Sequence, residues 1–132
     1  MTYFLDTDTC IFIQKGKFAC RERLISHLPH QIKIPAMVQA ELWTGVRSSR
    51  DPLKAGRCVE MLLSPYEITP FDSLAAMVYA EIRSELQKMG KLAGPADLVI
   101  AATVLAHHGT LVTHNTSEFS RIGGLQLADW TR

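Results

Sequence analysis

The sequence predicts an α/β protein, an open parallel β-sheet flanked by helices. Three observations carry this. Tyr3-Phe4-Leu5 is apolar on both faces and runs straight into Asp6-Thr7-Asp8, the pattern of a short strand buried at the centre of a sheet. Short strand-like runs near 31–35, 66–69 and 110–113 alternate with stretches of helical period, which implies parallel strands joined by right-handed crossovers. The chain has 132 residues, 47% of them hydrophobic, enough for a single domain over 1–132 with a real core.

The elements follow in order. After the first strand, Asp8 is placed to cap a short helix through Cys10, Ile11, Phe12 and Ile13, which Lys15-Gly16-Lys17 breaks. Residues 18–28 read as a second helix with Leu24, Ile25 and Leu28 on one face, stopped by Pro29. Gln31-Ile32-Lys33-Ile34-Pro35 alternates as a strand. Residues 36–46 have helical spacing, with Val38, Leu42, Gly45 and Val46 sharing a face and Glu41 projecting along that apolar side. Asp51-Pro52 opens a helix that runs to about Leu63, where Ser64-Pro65 ends it. Tyr66-Glu67-Ile68-Thr69 is a strand closed by Pro70. Asp72 or Ser73 caps a long helix with the stripe Leu74, Val78, Ile82 and Leu86; Gly90 follows it, and 91–93 is a loop. Gly94-Pro95-Ala96-Asp97 opens a helix to about His107 that is apolar nearly all round and therefore buried, with Gly109 as its stop. Thr110 to Thr113 forms another strand, and Leu125-Gln126-Leu127 a short one at the edge. There is no internal repeat, low-complexity tract or dividing linker.

The totals exclude several classes. A net charge of +1 announces no nucleic-acid binder by bulk electrostatics. Cys10, Cys20 and Cys58 are odd in number and form no Cys-x-x-Cys pair, which argues against a disulfide framework or zinc knuckle and for a reducing compartment. The sequence shows neither a signal-peptide pattern nor an apolar run long enough to span a bilayer. The expectation is a soluble cytoplasmic protein.

The chemistry lies in the acids. Asp6 sits at a strand's carboxyl end, where open α/β sheets bind ligands. Each acid has an ordinary explanation alone: Asp6 capping a turn, Asp8 capping a helix, Glu41 snorkelling from the edge of its stripe, Asp97 in a first turn where the helix dipole favours it. A doubly wound sheet can nevertheless bring Asp6, Glu41, Asp97 and the segment after Thr113 to one rim. Converging carboxylates without a lysine or arginine among their immediate neighbours repel unless protons or a divalent cation neutralise them. All-oxygen ligands suit Mg²⁺ or Mn²⁺, and the chemistry indicated is metal-assisted hydrolysis of a phosphate ester.

Leu5-Asp6-Thr7-Asp8, Ala40-Glu41-Leu42, Gly94-Pro95-Ala96-Asp97 and Thr113-His114-Asn115-Thr116-Ser117-Glu118-Phe119 together resemble the acidic motifs of PIN-domain ribonucleases, in order and at that family's spacing. The closing Gly124-Leu125-Gln126-Leu127-Ala128-Asp129-Trp130 is similar to the end of the VapC toxins within it. The resemblance implies a PIN-domain fold. It also implies the toxin of a type II toxin–antitoxin pair, a Mg²⁺- or Mn²⁺-dependent endoribonuclease that cleaves RNA, often tRNA, and halts translation. Such toxins usually form homodimers inhibited by the C-terminal segment of a VapB antitoxin. By position, Asp6, Glu41 and Asp97 are the metal-binding catalytic carboxylates. Thr7 or Thr113 would orient a ligand, and Asp8 is a further neighbour. Many PIN domains carry Asp where this chain has Asn115; Glu118, three residues on, could substitute.

RNA contact must come from local charge. Lys15, Lys17, Arg21 and Arg23 against Glu22 make one basic stretch, and Arg47, Arg50, Lys54 and Arg57 against Asp51 another. Either can equally be a solvated face. His107 and His108 read as helix C-terminal residues, His27 and His30 as surface positions, His114 as a site neighbour without a catalytic role, and Trp43 and Trp130 as packing or dimer residues. Two rivals stand beside this reading. Asp6-Thr7-Asp8-Thr9 after a strand is also similar to the first motif of haloacid-dehalogenase-type phosphatases, with Asp6 as nucleophile and Asp8 as acid/base, although the late acidic pair that family needs after a lysine is missing around Lys91 and Asp97. Asn115 alternatively suits a catalytically degenerate RNA-binding PIN module.

Overall fold

The computed structural model describes all residues, 1–132. Its strands are β1 (Tyr3–Leu5), β2 (Ile32–Pro35), β3 (Glu67–Thr69), β4 (Thr110–Val112) and β5 (Gln126–Ala128). Its helices are α1 (Thr7–Lys15), α2 (Cys20–Ile25), α3 (Ala36–Arg47), α4 (Pro52–Leu63), α5 (Ser73–Lys88), α6 (Pro95–Ala106) and α7 (Thr116–Phe119). The five strands pair in parallel in the order β3-β2-β1-β4-β5, so β1 is central and β5 an edge. Phe4 and Leu5 are fully buried between Ile34 of β2 and Leu111 and Val112 of β4, as the doubly apolar run requires. The all-round apolar helix α6 buries seven of its residues, including Leu98, Ile100 and Val104, and packs along α5. No helix is long and apolar enough to cross a membrane.

Several local expectations change. The cap of α1 is Asp6, not Asp8: Asp6 has extended backbone and accepts from the Thr7 amide, while Asp8 lies inside the first turn. Phe18 has a φ of +57°, which no helix admits, so α2 begins two residues later at Cys20. It also ends early, at Ile25, and of its supposed apolar face only Leu24 is buried; Ile25 and Leu28 are exposed. Pro29 opens a 3-10 turn over Pro29–Gln31 rather than stopping a helix. On α5 the cap is Asp72, and the buried face is turned by one residue at its start, with Ala75 inside and Leu74 exposed. Gly45 of α3 is exposed too.

The stop of α6 is His108. Its φ is +53°, and the amides of His108 and Gly109 donate to Leu105 and Val104, the paired bonds that end a helix in a left-handed residue. Gly109 is required for another reason. A Cβ there would lie 2.4 Å from the Phe4 ring. The chain can turn into β4 only by passing its backbone directly over that ring.

Candidate active site

The site begins where β1 ends. The Asp6 amide donates to the Val112 carbonyl at 2.9 Å, which carries the β1–β4 ladder one residue past the strand and fixes the start of α1. The Asp6 side chain is buried. Its Oδ1 accepts from the Thr7 amide at 2.8 Å and its Oδ2 from the Thr113 hydroxyl at 2.6 Å. Thr113 is itself fully buried, and its hydroxyl accepts from the Asn115 amide at 3.0 Å. A line of bonds therefore runs from the loop after β4, through Thr113, into Asp6. Burial raises the Asp6 pKa to about 6; Asp8 and Asp97 push it the same way, against the bonds from Thr113 and Thr7.

Glu41 stands half-buried in the second turn of α3, and the Thr7 hydroxyl donates to its Oε1 at 2.6 Å. Asp97, half-buried in the first turn of α6, has its pKa raised by burial and then by Glu41, Glu118 and Asp8. Asp6 at the end of β1 and Asp97 in α6 thus lie close enough to acids of α1, α3 and α7 for those charges to act on them. Neither Asp6, Glu41 nor Asp97 has an ion-pair partner. The expectation that no cation stands nearby needs one correction: Arg121 pairs with Glu118 at 3.1 Å.

The remaining predicted neighbours divide. Both carboxylate oxygens of Asp8 are engaged by backbone amides, Thr9 at 2.6 Å and His114 at 3.1 Å, so Asp8 clasps the first turn of α1 to the loop after β4. Asn115 precedes α7 and its side chain makes no capping bond. Glu118 is paired with Arg121 at 3.1 Å and lies near enough to Asp97 for its charge to be felt there.

No group of three or more His, Cys, Asp or Glu side chains is arranged so that it could hold a metal ion as the side chains stand. The acids are neighbours rather than a finished cage. That donor chemistry fits Mg²⁺ or Mn²⁺, which bind through one or two carboxylates and keep several waters; it does not fit zinc in a closed sulfur and nitrogen tetrahedron. Beside the acids, Thr7 and Glu41 line a groove of about 570 Å³ together with Ile11, Val46, Cys58 and Val59, between α1, α3 and α4.

Lys15, Lys17, Arg47, Arg50, Lys54 and Arg57 are exposed and unpaired. Arg21 and Arg23 are exposed as well and have no acidic side-chain partner, and their guanidinium groups donate to main-chain oxygens of Ile13 and Arg132. His30 is exposed, but His27 is a packing residue, half-buried and stacked on Trp130 at 5.6 Å. Trp130 is buried, and Trp43 covers Gly56 of α4. Phe18, Asp129 and Thr131, to which the sequence assigns no role at the site, surround the His114 ring. A lone phenylalanine between two turns carries no signal that it stays exposed.

The PIN domain family model matches residues 3–125. The chain is 35% identical to Ribonuclease VapC2 of Rickettsia felis, over the whole of both chains. It is 32% identical to the tRNA(fMet)-specific endonuclease VapC of Shigella flexneri, over 99% of each. The crystal structure of DNA-bound VapBC from Salmonella typhimurium contains a chain that superposes with a TM-score of 0.93 at 34% identity, covering 98% of each. The ordered acids, the central β1 with Asp6 at its carboxyl end, and this full-length likeness agree, and the chain belongs to the PIN domain family, among its VapC members.

Proposed function

We propose that this chain is the toxin of a VapBC-type toxin–antitoxin pair, an endoribonuclease that depends on Mg²⁺ or Mn²⁺ and cuts RNA of the tRNA class in the cytoplasm, thereby stopping translation. The observation that carries this is the group of unpaired acids, Asp6, Glu41 and Asp97, delivered by β1, α3 and α6 to one rim. The names of the relatives as ribonucleases and the VapBC complexes among the structural neighbours support it. A cognate VapB-like antitoxin is the partner, and its C-terminal segment would lie in the apolar groove that Thr7 and Glu41 border. The toxin would act as a homodimer.

Asp6, Glu41 and Asp97 would hold the divalent ion. When bound, such an ion lowers the pKa of water towards neutrality and offsets negative charge on phosphate oxygens. The protein's own part is orientation. Thr113 aims the Asp6 carboxylate from below, and Thr7 aims Glu41 from the side. Asp8 ties the His114 amide, next to Thr113, to the first turn of α1. The same engagement disfavours the phosphatase alternative, since a carboxylate with both oxygens bound to backbone amides is poorly free to shuttle a proton. The full set of Asp6, Glu41 and Asp97 likewise disfavours a degenerate binding module.

The experiment is cleavage of purified tRNA and total RNA by the isolated chain in EDTA, and again after Mg²⁺ or Mn²⁺ is restored. Discrete cuts only with metal are expected. Binding without cleavage under every condition would overturn the enzyme reading.

A further inference from the structure

We propose that Phe18 and His114 form a ledge on which one unpaired nucleobase of the RNA stacks beside the acid pocket, an inference that rests on the ribonuclease reading above.

Phe18 is doubly unfavourable where it stands. It is 57% exposed, and its φ of +57° is a left-handed conformation that costs a residue with a Cβ about 1–2 kcal/mol. Glycine would suit the backbone and a polar residue the exposure. The ring stands beside two others: Phe12 edge-on at 5.1 Å, and His114 near parallel, with 27° between planes and 6.5 Å between centroids. A flat surface is held open to solvent at the expense of stability, which points to a use.

His114 supplies the rigidity. Its Nδ1 lies 3.2 Å from Asp129 Oδ2 and 3.0 Å from the Thr131 hydroxyl. The Asp129 side chain is only 8% exposed and is anchored by the Thr131 amide at 2.9 Å and hydroxyl at 2.6 Å. The Thr131 hydroxyl gives its proton to Asp129, so it accepts from His114. The imidazole is therefore fixed as an Nδ1 donor at one orientation. Its own backbone amide holds Asp8, whose charge Asp6 and Asp97 both feel. The ledge is thus continuous with the acid pocket.

Charge selects the occupant. Lys15 and Lys17 precede Phe18, exposed and without acidic partners, where the phosphates flanking a stacked base would need cations. Aromatic faces bordered by cations suit single-stranded RNA, because every base offers a π-face.

The test uses single-stranded RNA nonamers, each with 2-aminopurine at one position, bound in EDTA so that nothing is cut. Wild type quenches the fluorescence at one position. Phe18→Gly and Phe18→Leu lose that quench and bind about tenfold more weakly, the effect of losing one stacked base. Phe18→Trp keeps both. Phe18→Gly also keeps or raises the thermal midpoint, whereas a purely structural Phe18 would lower it and leave the quench of bound RNA intact. A protein that cuts tRNA yet quenches at no position, or a quench that survives Phe18→Gly, overturns the ledge and leaves the ribonuclease reading standing. Unchanged RNA binding with a weakened antitoxin complex reassigns the rings to the protein interface and overturns it too. A wild type that cuts no RNA with Mn²⁺ removes both readings together.

Discussion

Thr113 donates its buried hydroxyl to Asp6 at 2.6 Å, across a sequence separation of 107 residues. The bond joins the ends of β1 and β4 at the rim where the acids meet. Its removal by the near-isosteric Thr113→Val leaves a buried carboxylate oxygen and the Asn115 amide without their partner. Unpaired buried groups of this kind cost about 1–3 kcal/mol. Urea denaturation of Thr113→Val should show a loss of that size, mostly recovered in Thr113→Ser. Unchanged stability in Thr113→Val together with the loss in Thr113→Ser would mean that methyl packing, not the hydroxyl, matters there.

Asp6 makes stability depend on pH in a stated direction. Its pKa is raised from 3.8 to about 6 in the folded chain, chiefly by burial. A raised pKa stabilises the fold at low pH, and that contribution is lost as pH rises through 6. At pH 7.5 without metal the wild type therefore carries a penalty on the order of 3 kcal/mol, an upper figure for one group shifted this far. Asp6→Asn removes the titration but also mismatches the Thr113 bond, a fault that does not vary with pH. The stability of Asp6→Asn relative to wild type should therefore rise between pH 4 and pH 7.5 in EDTA. A flat difference would show that Asp6 is not strained by its surroundings.

Thr7 offers a finer cut. Its hydroxyl reaches only Glu41 Oε1, at 2.6 Å. Thr7→Val should lower kcat for RNA cleavage about tenfold, the effect of losing roughly 1.4 kcal/mol of transition-state stabilisation, with KM little changed. Glu41→Gln, Asp97→Asn and Asp6→Asn should each fall at least a hundredfold and lose toxicity in cells. Full toxicity in any two of those three would overturn their assignment.

The turn into β4 separates two kinds of glycine requirement. His108→Gly should stabilise by about 0.5–1 kcal/mol, since it relieves a left-handed residue. Gly109→Ala should destabilise by about 1–3 kcal/mol, because its Cβ enters the Phe4 ring and the core must move. Thermal midpoints of the two variants moving in the same direction would contradict this account of the turn.

What could be read in the sequence was what has a strong physical signature. A strand apolar on both faces, a proline after an aspartate at a helix start, and a helix without a polar face left β1, α4 and α6 almost unambiguous. Asp6 was legible as a strand-end acid, but Asp6 and Asp8 compete for one cap, and the extended backbone at Asp6 with its bond from the Thr7 amide decides between them. The four residues of α7 are too few to show a period. Leu24, Ile25 and Leu28 lie at helical spacing, yet α2 stops before that spacing matters; the Ser26 hydroxyl and His27 ring both turn back to the Arg23 carbonyl. At the site, residue types foretold the acids. The partners that aim them were legible only as candidates, because Thr113 and Asp6 meet through sheet order, which a chain read in one dimension does not display.

The central claim is that acids brought from β1, α3 and α6 hold one kind of guest, a divalent ion. Calorimetric titration of Mn²⁺ into the metal-free chain near pH 7.5 tests it most directly. The account predicts saturable binding by wild type that Asp6→Asn and Asp97→Asn abolish or weaken at least tenfold, with the variants still folded. Absence of binding by wild type, or unaltered binding by both variants, would contradict it.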